Sequence, residues 1–139
     1  MKAFYFYQSR MKNIVLNTRS GPHTRKILCT HELGHALLHK EIATWHGFQE
    51  LTLFCSASRA EYEANLFAAD LLIEDEALFE LLDEPGKSFS ELARELYVPI
   101  ELLDFKFRIL KGKGYPLAAP YIAQADFLKG SAQHESMLQ

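Results

Sequence analysis

His31, Glu32 and His35 are the residues of this sequence whose types and spacing fit a definite chemistry. Residues four apart in a helix lie one turn up the same face, so both imidazoles can address one ion. Zinc accepts neutral histidine nitrogens at about 2.0–2.1 Å. Glu32 falls about 60° around the helix from His35, at about 100° per residue. A carboxylate there can hold a water beside the ion without ligating it. This is the HExxH spacing, in which two histidines bind zinc and the glutamate is the general base of peptide hydrolysis. Chance alone would produce it occasionally in a chain with 6 histidines among 139 residues. Its position in the middle of an amphipathic helix adds the weight. The bland alternative is a surface helix carrying three satisfied histidines, His31, His35 and His39.

Two histidines do not complete a site, because a catalytic zinc takes three protein ligands and keeps one position open. An extended pattern with a third histidine six residues after His35 fails here, since Glu41 stands there and Leu38 replaces the required glycine. The other route takes a carboxylate from a following helix, where Glu61 and Glu63 are both available. They point about 200° apart, so only one can face the ion. Glu61 is preferred, because Asn65 lies one turn further on the same face and can hydrogen-bond a ligating imidazole. Glu63 is the second choice, and the one left over is read as a solvated charge. His39, one turn beyond His35, reads as a buried polar group behind the ligands. His46, Tyr62 and Tyr97 are open candidates for stabilising an oxyanion. Cys29 reads as a small core residue. Gly34, in mid-helix, implies a close approach by a neighbouring element.

The elements that must position these groups can be read coarsely. Residues 3–7 (AFYFY) and 13–16 (NIVL) predict two antiparallel strands joined by a five-residue polar link. A helix follows from Thr24, as N-cap, to Lys40. Leu51–Phe54 predicts a short strand. Apolar steps of three and four place a second helix over Arg59–Leu72. Further helices are expected over Glu76–Leu82, from Ser88 or Ser90 to Tyr97, and from Pro99 to near Gly112. The last residues predict a short helix near Ile122–Leu128. The result is one domain over residues 1–111, with its metal core at about 1–73 and a helical part at about 75–111. Residues 112–139 form a loosely ordered tail.

Composition bounds the function. A formal net charge of −3 and 48% hydrophobic residues exclude chain-wide disorder and argue against a general nucleic-acid binder. Two cysteines, Cys29 and Cys55, are too few for a disulfide scaffold. No apolar run approaches the roughly 20 residues of a membrane span, and the short apolar stretch at the start does not read as a signal peptide. The expected location is the cytoplasm. Leu92–Leu110 has the outline of a helix-turn-helix unit, but Glu101 and Asp104 stand where base contacts would form.

HELGHALLH at 31–39 followed by EYEANLFAADLL at 61–72 resembles the ImmA/IrrE family of metallopeptidases, which carries HELGHxxxH and, after about 25 residues, ExxANxFAxxLL. The resemblance spans about residues 1–73 and extends loosely to the helices around 90–112. It implies that His31, His35 and Glu61 are zinc ligands and that Glu32 is the catalytic glutamate. It also implies an α+β fold, a compact zincin-like domain with a small antiparallel sheet packed on the metal-binding helix and a helical C-terminal part. The substrate it implies is a helix-turn-helix repressor encoded nearby, in phages, mobile elements or stress responses. This sequence departs from the family in two places. Ile73-Glu74 stands where the family has Met-Pro, and relatives carry more chain ahead of the hairpin. The shortened N-terminus favours the alternative of a non-cleaving, regulatory protein-binding module on the same metal-binding fold. Manganese or iron would also suit two histidines and a carboxylate.

Overall fold

The computed structural model describes residues 3–39 and 59–117. It has an α+β architecture. Strands β1 (Ala3–Gln8) and β2 (Met11–Leu16) form a two-stranded antiparallel sheet. Among the described residues five helices follow: α1 (Pro22–Leu38), α2 (Arg59–Leu72), α3 (Asp75–Leu82), α4 (Phe89–Glu95) and α5 (Ile100–Gly112). The expected strand at Leu51–Phe54 and helix at Ile122–Leu128 lie outside the described residues.

The hairpin is tighter than its sequence suggests. Gln8 pairs with Met11, so the turn is only Ser9-Arg10. Both have positive φ, 53° and 64°, as a two-residue type I′ turn demands. Neither residue is a usual carrier of that conformation, which is why the pattern reads as a longer link. The sheet packs on α1, with Tyr5 buried against Ala36.

Helix α1 begins three residues earlier than an N-cap at Thr24 predicts. Gly21 is the N-cap and Pro22 occupies the first turn, where a missing N–H costs nothing and φ is already helical. Helix α2 has the predicted bounds. Its small residues Ala64, Ala68 and Ala69 are fully buried, which lets α1 and α5 approach it closely on two sides. Helix α4 starts with a complete capping box: Glu91 N–H donates to Ser88 Oγ at 3.2 Å, and Ser88 N–H donates to Glu91 Oε2 at 2.7 Å. This secures the start of a helix only seven residues long.

Helix α5 lacks the open face of a DNA-recognition helix. Every residue from Leu102 to Phe107 is buried, including Asp104 and Lys106. A helix that enters a DNA groove must leave one face open; this one is core. Lys106 is 1% exposed and its ammonium donates to Asp70 of α2 at 2.8 Å and meets Asp75 of α3 at 2.5 Å. Asp104 is paired with Arg108 at 3.1 Å. No helix among the described residues is long and apolar enough to cross a membrane.

Candidate metal centre

Helix α1 presents one buried polar stripe. His31, Glu32 and His35 are each at most 2% exposed, a burial that charged or polar groups rarely sustain without partners. Across from them stands Glu61, in the first turn of α2. His31 Nε2 lies 3.2 Å from Glu61 Oε2, His35 Nε2 lies 3.0 Å from Glu61 Oε1, and the two Nε2 atoms are 3.2 Å apart. Three donors from two helices thus converge on one point, and this is the only such group of metal-ligand type among the described residues. A tetrahedral centre with bonds of about 2.0–2.1 Å spaces its donors by roughly 3.3–3.4 Å. The distances seen here, taken to a different Glu61 oxygen for each histidine, are a few tenths of an ångström shorter, and with one atom from each residue the donors lie within 4.8 Å of one another, so the donor types and their closeness fit zinc.

The approach of the helices is what closes the triangle. At Gly34, between the two histidines, an added Cβ would meet Ala64 Cα at 3.2 Å and Phe67 Cδ1 at 3.1 Å. No other residue type fits that crossing without displacement.

Glu32 does not join the triangle. One of its oxygens, Oε2, is buried with no hydrogen-bond partner among the described residues, and its carboxylate accepts the backbone N–H of Tyr5 on β1. Burial pushes its pKa up to about 7; the nearby Glu61 charge adds to that, against the opposing pull of His35 and the Tyr5 N–H. Glu61 behaves oppositely. Burial works against its charge, yet hydrogen bonds from His31 and His35, with their charges, hold it down at about 2. Two carboxylates within one site are thus driven apart in proton affinity.

His39 continues the stripe. Its Nδ1 is 3.1 Å from His35 Nδ1, and its Nε2 is 2.9 Å from Glu63 Oε2. Glu63 in turn accepts from Arg59 Nε at 2.7 Å, and these bonds hold its carboxyl below the ordinary range. Glu63 therefore corrects the reading of the unused glutamate as a free surface charge: it lies behind His35, joined to it through His39. The sequence carried half the signal, the i,i+4 pair of Arg59 and Glu63. The other half depends on how α1 and α2 cross.

Asn65 is fully buried beside α1, and neither of its side-chain atoms has a hydrogen-bond partner among the described residues. Of the oxyanion candidates, Tyr62 packs edge-on against Phe105 and Tyr97 stacks on His23 at 5.5 Å; His46 lies outside the described residues. Cys29 is a half-buried free thiol.

The chain matches known proteins in the same region. The family of IrrE N-terminal-like domains, a peptidase family, matches residues 1–108. An "Uncharacterized immunity region protein 2" of Bacillus phage phi105 is 46% identical over 72 residues, covering 52% of this chain and 44% of that protein. "Metallopeptidase ImmA" of Bacillus subtilis (strain 168) is 33% identical over 86 residues, covering 59% of this chain and 48% of that protein. The matched regions thus span less than half the length of either relative. No solved structure matches.

Proposed function

The chain belongs to the family of IrrE N-terminal-like domains, and from that premise we propose that it is a zinc-dependent endopeptidase. The observation that carries this reading is the convergence of His31, His35 and Glu61 within hydrogen-bonding distance of one another. Glu32, buried beside His35, adds to it. His31, His35 and Glu61 are the residues that would hold the ion. Bound there, zinc supplies Lewis acidity toward a peptide carbonyl and makes water more acidic.

The remaining chemistry belongs to the chain. Glu32 takes a proton from the attacking water and returns it to the leaving amine. Burial raises the proton affinity of Glu32 in the metal-free chain, and a bound dication would draw it back down, so its burial offsets the pull of the ion. The Tyr5 N–H fixes one oxygen of Glu32, and the unpartnered Oε2 is the one left to carry the proton. His39, with Glu63 behind it, holds His35 from the side away from the ion.

For substrate we infer a helix-turn-helix repressor. The likeness to a phage immunity-region protein and to a metallopeptidase called ImmA supports a regulatory target over general digestion. Co-expression with a repressor encoded beside the gene tests the proposal. The wild-type chain cleaves the repressor, Glu32→Gln leaves it intact while retaining zinc, and Glu61→Ala leaves it intact and lacks zinc. Relief of repression by Glu32→Gln equal to wild type would replace the peptidase with a binding module.

A further inference from the structure

We infer that Glu63, acting through His39, is a positioning residue that keeps the proton of His35 off the nitrogen needed by the metal; the inference rests on the ligand set proposed above.

The argument is one of proton counting. A neutral imidazole carries one N–H and one lone pair. His35 Nδ1 and His39 Nδ1 face each other at 3.1 Å, so one of them must carry the hydrogen and the other must accept it. If His39 donates, its Nε2 is a bare lone pair aimed at the Glu63 carboxylate 2.9 Å away, two acceptors in contact. The proton of His35 then sits on Nε2, inside the donor triangle, where it blocks a ligand bond. If His35 donates, His39 accepts at Nδ1 and gives its own N–H to Glu63. Both contacts of His39 are then satisfied, and His35 Nε2 offers its lone pair to the centre, where only a bound cation would satisfy it beside the Glu61 carboxylate.

Glu61 pulls the other way. Without a metal, its carboxylate, 3.0 Å from His35 Nε2, favours a proton on that nitrogen. The two glutamates therefore compete for the tautomer of one histidine: Glu61 from the ion side and Glu63 from behind, relayed by His39. Arg59 anchors the relay, with its Nε 2.7 Å from the second oxygen of Glu63. Glu63 is only half-buried, with a side chain 34% exposed, so its removal opens no cavity.

The experiment compares wild type, Glu63→Ala and Glu63→Gln. Zinc affinity is measured by competition with a chromophoric chelator, and the tautomers of His35 and His39 by long-range proton–nitrogen NMR of the imidazoles. Loss of an outer partner of a ligating histidine typically weakens metal binding roughly 10–100-fold, and Glu63→Ala is expected to fall in that range. Glu63→Gln keeps an acceptor without its charge and falls between the two. In the metal-free chain the alanine variant shifts the His35 proton from Nδ1 toward Nε2, at an unchanged melting temperature. Wild-type zinc affinity with unchanged tautomers in Glu63→Ala overturns the relay and leaves the ligand set standing. A wild-type chain that binds no zinc overturns both.

Discussion

Gly34 of α1 rests directly on the backbone of Ala64 in α2: the position a Cβ would take at Gly34 is 3.2 Å from Ala64 Cα. Backbone cannot swing aside as a flexible side chain can. Gly34→Ala must therefore push α2 outward by a few tenths of an ångström, and Glu61 moves with it. Overpacking of this kind costs about 1–3 kcal/mol, partly offset by the roughly 1 kcal/mol that alanine gains over glycine in a helix. Net stability is expected to change little while zinc affinity falls clearly. Thermal melts of the metal-free chain, paired with a zinc titration, separate the two effects, and unchanged affinity would refute the geometric role of Gly34.

Glu61 and Glu63 differ by two residues and are expected to differ sharply in consequence. Glu61→Ala removes a proposed ligand and is expected to weaken zinc binding by more than the roughly 10–100-fold typical of losing an outer partner. Elemental analysis after dialysis shows it: Glu61→Ala emerges without zinc and Glu63→Ala retains some. Equal zinc content in the two variants would remove Glu61 from the ligand set.

Glu32 makes the metal-free chain sensitive to pH. Its pKa is about 7 when folded, against about 4.3 for a free glutamate. The folded state thus holds the proton more tightly, and the associated stability is present below about pH 4.3 and lost as pH rises through 7. Glu32→Gln removes this loss. With chelator present, the variant is expected to exceed wild type by about 1–3 kcal/mol at pH 8 and to match it near pH 4. Denaturant melts at the two pH values measure the difference, and a constant gap across them would mean that Glu32 is not held at a raised pKa.

Lys106 is buried while its partners Asp70 and Asp75 reach the surface, at 52% and 37% exposure. Removing the lysine frees two carboxylates into water, whereas removing the carboxylates strands a buried ammonium. Lys106→Met is therefore expected to cost less than about 1 kcal/mol, and the pair Asp70→Asn with Asp75→Asn about 3 kcal/mol. Urea unfolding of the two variants checks the order, which must not reverse.

The parts of the site that lie within one helix were legible in the sequence. The four-residue step from His31 to His35 fixes their shared face, and the apolar steps of Arg59–Leu72 give the second helix its bounds. What escaped depends on one element meeting another. Glu63 finds His39 only because α1 and α2 cross at Gly34. The burial of Lys106 depends on α2 and α3 bringing Asp70 and Asp75 over it. The Ser9-Arg10 turn has positive φ without the glycine or asparagine that would announce it.

Glu32 is oriented by a peptide N–H of β1 and not by a side chain. No mutation that merely exchanges one side chain for another at position 5 can withdraw that hydrogen; proline alone lacks it. The proposed base thus depends on the course of the strand, and an exchange at position 5 that preserves the packing against Ala36 leaves the carboxylate its aim.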